Sequence, residues 1–404
     1  MSKQAGNTFI APTARYSVIQ GSFWMSFCII FAYVSVFLLS KGFSNSQIGI
    51  IVAVSGVISA LLQPIVADVA DRSKKVSLRL IISFWAVIII AVAAGLLIPG
   101  LHILLIAVFY GVAIASLQIL TPLVNAIGME CINKGIPVNF GLARGIGSIS
   151  YAVISYLAGV LVSRYNTSVI PIMMILFYAI LIFGILSFRF SDSGLAKSQK
   201  KCAEDKIEGK SHEKSSTNAF FKKYTKFFIL LIGVTLSFIS HNIVNNYMFQ
   251  IMQYHGGGSS EMGTALAIAA AVELPTMLGF AFIVKRFSCG TLLKVSGTFF
   301  MIKTVLTLLA PNILGIYIAQ GVQILGFALQ VPASVYYVNK LMRPEDRVKG
   351  QAFMTVTNTL GSIAGSLLGG VLLDALGVRA LLLSAAVVAL AGMFITYLST
   401  EKHI

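Results

Sequence analysis

Apolar runs with at most two Lys, Arg, His, Asp or Glu residues recur twelve times along the chain, at 16–40, 46–68, 79–98, 101–128, 140–163, 168–188, 226–252, 260–284, 290–310, 312–339, 349–373 and 377–399. The hydrocarbon core of a bilayer is about 30 Å thick, and a helix needs about 20 mostly apolar residues to cross it. Twelve such runs specify an all-α integral membrane protein with twelve transmembrane helices. Composition agrees: 57% of residues are hydrophobic and 11% charged, against roughly 25% charged in a soluble domain. Only Pro99-Gly100 and Pro311-Asn312 turns separate the third span from the fourth and the ninth from the tenth, so each pair must run antiparallel. Residues 1–15 are polar with two cations and lack a small-residue cleavage site before the first run, which reads as a retained span and not a signal peptide.

The net charge of +16 would suggest a nucleic-acid partner in a soluble chain, but here the cations are sorted. With the N-terminus inside, 25 of the 30 Lys and Arg fall in alternate, cytoplasmic segments, three (Lys41, Arg164, Arg379) fall outside, and Arg144 and Lys303 lie within spans. That is the positive-inside pattern, with both termini cytoplasmic. It makes the bilayer the partner and leaves no reason to expect nucleic acid.

One long polar stretch, Ser191 to Asn218, is rich in Lys, Glu, Asp and Ser and cannot bury a core. It divides the chain into a six-helix bundle at 1–190, a cytoplasmic linker at 191–222 and a second six-helix bundle at 223–404. Gly111-Val112 with Pro122 recurs as Gly321-Val322 with Pro332, and Gly147-Ser148-Ile149 recurs as Gly361-Ser362-Ile363. Offsets of about 210 and 214 residues support two parallel repeats, an architecture whose solute site lies at the midplane between the halves.

The loop Ala67-Asp68-Val69-Ala70-Asp71-Arg72-Ser73-Lys74-Lys75 resembles the G-x-x-x-D-R-x-G-R-K signature of the major facilitator superfamily, with Ala67 and Lys74 in place of glycines. Asp68, Asp71 and Arg72 then read as a gating loop in which an acid at a helix end faces neighbouring cations. Ser46-Gln47-Ile48-Gly49 leading to Gln63-Pro64, and Asn139-Phe140-Gly141-Leu142-Ala143-Arg144-Gly145, are similar to the lactose permease or oligosaccharide:proton symporter family. That resemblance implies that Arg144 contacts a sugar, that Glu273 binds it, and that Lys303 on the ninth span serves the proton. The chain departs from the family elsewhere: Phe327 and Gln330 stand opposite its tenth-span His and Glu, His241 and Val244 opposite its seventh-span acids, Asn358 opposite its eleventh-span Lys, and Asn125 opposite its fourth-span Glu.

An ionisable residue at mid-span costs about 2.5–3.5 kcal/mol on insertion scales, which makes each one a candidate functional group. Arg144 offers a planar fork of donors for vicinal hydroxyls or a carboxylate. Tyr151, two turns further along the same face, offers a stacking plane. Glu273 and Lys303 are expected to lie close enough to pair, with His241 and Glu130 as secondary acid–base groups. Asn125, Asn245 and Asn358 extend the expected binding set. Asn242, Asn246, Gln250, Gln323 and Gln330 add polar groups in need of partners.

These features point to a secondary transporter that symports a small hydroxylated solute, a sugar or oligosaccharide, with protons by alternating access. Alternatives within the fold are an organic anion or nucleoside carrier and a drug exporter. Gly209-Lys210-Ser211 lacks the upstream glycine of a phosphate-binding loop, and the five His form no H-E-x-x-H, so no nucleotide-driven pump and no enzyme is expected. No catalytic set, metal or cofactor is expected beyond the coupling proton, and no cysteine pair reads as a redox or metal motif. A monomer in a bacterial cytoplasmic membrane is the expected setting.

Overall fold

The computed structural model describes residues 2–72, 77–133, 136, 138–187 and 217–401, with no side-chain detail for 2–11, 71–72, 133 and 217–219. The described residues are helical almost throughout. The first span is α1 (Ser2–Phe27), a π-helical turn (Cys28–Ala32) and α2 (Val34–Ser40), bent by 46° between its two arms. The second to sixth are α3 (Asn45–Arg72), α4 (Leu78–Leu96), α5 (Ile103–Asn133), α6 (Phe140–Arg164) and α7 (Val169–Leu186). A short helix α8 (Thr217–Lys223) leads into the seventh span, α9 (Thr225–Asn246) with α10 (Met248–Tyr254). The eighth and ninth are α11 (Ser259–Arg286) and α12 (Cys289–Leu309), and the tenth is α13 (Ile313–Gly321), a 3₁₀ turn (Val322–Leu325) and α14 (Phe327–Leu341).

The last two spans are the arms of α15 (Arg347–Ser399), a helix of 53 residues. At about 1.5 Å per residue it is far too long for one crossing. Gly377 breaks it with φ 78°, a left-handed backbone that glycine adopts without steric penalty. The described residues therefore make twelve crossings. Side-chain oxygens of Ser77, Asn139, Ser288 and Asn312 accept from the first-turn amides at the starts of α4, α6, α12 and α13, satisfying donors that lipid could not.

The two halves repeat one construction. Tyr33 and Tyr247, separated by the same offset as the Gly-Ser-Ile pair, each interrupt the first span of their half. Each also donates its hydroxyl hydrogen to a carbonyl of that half's fifth span, Ser155 O for Tyr33 and Ser366 O for Tyr247. Gly147 takes Trp24 against its backbone, and Gly361 takes Phe238 in the same way. The matched glycines thus let the first and fifth helices of each half approach closely.

Between the halves, α6 packs on α11 and α3 on the first arm of α15. A β-carbon on Gly159 or Gly263 would lie 3.1 Å from the α-carbon of the other. Among the described residues, every hydrogen bond that crosses between the halves lies toward the face away from residues 12 and 401: Ser35 to Asn246 O, Ser259 to Gly159 O, Ser46 to Gly370 O, Gln250 to Asn45, and Asn45 and Ser46 to Asp374. The molecule is sealed at this far face, and its halves share no described hydrogen bond at the terminal face.

At the terminal face the polar contacts stay within a half. Lys223 donates to Asp346 at 2.8 Å, and Tyr224 donates to the same oxygen at 2.8 Å, which fastens the incoming chain to the loop before α15. The Lys223 ammonium holds the Asp346 carboxyl below the usual carboxylate range. Of the gating loop, Asp68 is exposed near the end of α3, while the side chains of Asp71 and Arg72 and residues 73–76 lie outside the described residues.

Candidate solute site between the two halves

In the first half, Arg144 sits at the start of α6 one turn past its Asn139 cap, and its guanidinium carbon lies 3.9 Å from the centroid of the Trp24 ring. Nη1 donates to Ser148 Oγ at 2.9 Å, an i to i+4 contact on the same helix face. Trp24 is fixed in turn: its Nε1 donates to Gln20 Oε1 at 3.0 Å, and Gln20 Nε2 donates to Tyr16 at 2.7 Å and to Asn125 Oδ1 at 3.1 Å. An Arg held face-on by an aromatic ring keeps its donor edge free to meet a ligand. Among the described residues no carboxylate lies within ion-pair distance of Arg144, so it does not pair with Glu130 at the end of α5.

In the second half, Lys303 in α12 is 2% exposed. Its ammonium donates to Gln323 Oε1 and, at 3.3 Å, to Asn245 Oδ1. Gln323 Nε2 donates onward to Glu273 Oε1. The expected direct Glu273–Lys303 pair is therefore absent; a neutral amide stands between acid and base. It can do so because the tenth span loosens into its 3₁₀ turn and the non-helical Gly326, which sets Gln323 between α11 and α12. The ammonium can only donate, so the Asn245 oxygen faces it and the Asn245 amide hydrogens face His241 Nε2 at 2.8 Å. The His241 ring stacks on Phe327, with centroids 5.2 Å apart and planes 10° apart.

The structure thus gathers Arg144 with Asn125, and Glu273 with Lys303, Asn245 and His241. Tyr151 packs half-buried against the first-half core, within electrostatic reach of Glu273, and the ring over Arg144 is Trp24. Others stand apart from both clusters. Asn358 is exposed on α15, on the side of the helix away from the apolar exposed stripe of Val356, Leu360 and Val371. Glu130 adds no contact to either cluster. Asn242 and Gln330 bond within their own helices, the Asn246 side chain donates to Ser366 of its own half, and Gln250 serves the far-face seal. The residues that sequence reasoning missed are Trp24 and Gln20; a glutamine four residues before one of only two tryptophans, inside an apolar run, is the signal that could have found them.

A model of the MFS_1 like family matches residues 16–383. The chain belongs to the MFS_1 like family. A relative, the uncharacterized transporter YwbF of Bacillus subtilis (strain 168), is 22% identical over 399 residues, covering 96% of this chain and 95% of that one. Among solved structures, a variant of the nucleoside transporter NupG superposes with a TM-score of 0.76 at 15% identity, covering 96% of this chain and 98% of NupG. A D-xylose–proton symporter superposes at 0.69 with 13% identity, covering 96% and 97%. At these identities the likeness establishes the major facilitator fold. This MFS_1-like chain is a multi-pass membrane protein of transporter type.

Proposed function

We propose that the protein is a secondary transporter that symports a small hydroxylated solute, of sugar size, with protons by alternating access. Its terminal face, where the Lys and Arg collect, is read as cytoplasmic in a bacterial inner membrane, so the arrangement described is closed to the outside and parted toward the inside. The observation that carries the reading is the Lys303–Gln323–Glu273 chain. A carboxyl at mid-span is tied to a cation only through an exchangeable amide, so its proton occupancy can respond when solute or conformation disturbs that amide. Arg144 and Asn125 supply hydroxyl-binding groups opposite it, and the buried Gln20 holds Trp24 and Asn125 in place. By their names, NupG and the xylose symporter act on polyhydroxylated solutes, which agrees with this reading.

A second reading, an organic anion as solute, is favoured by Arg144 having no carboxylate within ion-pair distance among the described residues, Glu273 acting on it only from further off. A thermal-shift screen of purified protein against D-xylose, disaccharides, uridine and aromatic carboxylates separates the two. The coupling test is Glu273→Gln in proteoliposomes with the solute so identified. Accumulation driven by a pH gradient should be lost while solute exchange persists, and undiminished proton-driven accumulation would remove Glu273 from the mechanism.

A further inference from the structure

The seal at the far face contains an ionisable side chain whose hydrogen bonds, among the described residues, all lie in the opposite half. Asp374, near the end of the first arm of α15, accepts from Asn45 N at 3.2 Å and Asn45 Nδ2 at 2.8 Å through Oδ1, and from Ser46 N at 2.7 Å through Oδ2. Asn45 and Ser46 open α3. The helix's own reciprocal cap, Ser44 with Gln47, satisfies the neighbouring amides: Ser44 N donates to Gln47 Oε1 at 2.9 Å and Gln47 N to Ser44 Oγ at 3.2 Å. The two amides that this local cap leaves open are those the carboxylate of the other half takes. Asn45 also accepts from Gln250 Nε2 at 2.7 Å, so α3, α10 and α15 join in one chain of bonds.

We propose that Asp374 is the latch of the far face: a carboxylate of the second half completes the N-terminus of a first-half helix, and the face cannot open without uncapping that helix. The attraction is strong because an anion at a helix N-terminus meets both aligned amide donors and the positive end of the helix dipole. Its effect is on the balance between closed and open far faces, and it is independent of the solute and of Glu273.

The test measures that balance directly. Spin labels at Tyr165→Cys and Leu314→Cys, exposed positions at the far ends of the two halves, report the separation by pulsed electron resonance in full-length, Cys202→Ala protein without solute. Wild type should show a dominant short distance. Asp374→Ala should raise the population of the longer distance by about tenfold, a modest coupling on the scale of conformational equilibria, and Asp374→Asn should fall between. A second pair of variants isolates the backbone bond. Asn45→Pro and Asn45→Ala both lose the side-chain amide, but only proline also removes the first-turn amide hydrogen, at a helix position where proline is tolerated. Proline should open the face further than alanine. Unchanged distances in Asp374→Ala, or equal distances for Asn45→Pro and Asn45→Ala, would overturn the latch.

Discussion

The two halves of the central site share a scaffold and differ in chemistry. In both, an aromatic ring on the first span lies against the glycine of a Gly-Ser-Ile stretch on the fifth, Trp24 on Gly147 and Phe238 on Gly361. In the first half the residue three positions before that glycine is Arg144, laid on Trp24; in the second it is Asn358, and the charges have moved to the eighth and ninth spans as Glu273 and Lys303. The first half holds a cation by its face and leaves its donor edge available, which suits recognition. The second ties acid and base into a closed polar chain, which suits the handling of a proton. On the proposed function, two copies of one frame divide these two roles between them.

If the division holds, the largest effect should come from breaking the second-half chain at its middle. Gln323→Leu leaves the buried Lys303 and the half-buried Glu273 without their common partner, and a buried polar group left unpaired costs about 1–3 kcal/mol, more when it is charged. The expected result is a fall in thermal stability measured by differential scanning fluorimetry, together with loss of uphill transport; stability equal to wild type would mean that the amide is not the link. Next in size, Arg144→Lys keeps the charge but not the fork, so solute affinity measured by calorimetry should fall on the order of tenfold to a hundredfold with stability nearly unchanged. A weakening of proton coupling without a loss of affinity would invert the assignment of roles. The smallest effect is expected from Trp24→Leu, which removes a cation–π contact of about 0.5–2 kcal/mol. Affinity should drop severalfold, less than in Arg144→Lys, and a larger drop would make Trp24 itself the principal contact with the solute.

Much of this was legible in the residues. Each crossing announced itself because lipid demands about 20 apolar residues from every helix, and Arg144, Glu273 and Lys303 stood out because charge is rare there. The Gly-Ser-Ile echo exposed the repeat. What could not be read was who meets whom across helices. Gln323 entered between Glu273 and Lys303 through a local 3₁₀ turn that no periodicity marks, and the place of Trp24 over Arg144 went unread because an aromatic in an apolar run looks like core. The far-face use of Gln250 was equally silent, since a polar side chain near a span's end reads alike whether it faces a solute or seals a seam.

The contact of Gly159 with Gly263 bears on the economy of the cell that makes this protein. Backbone there meets backbone, with the Tyr33 hydroxyl beside it, and neither glycine has room for a β-carbon. In the proposed proton-coupled carrier, helices held apart by an added methyl group would open a path for protons across the far face, solute or none. Replacing either glycine by alanine should therefore appear first as a proton leak in empty vesicles, before any change in what the protein carries.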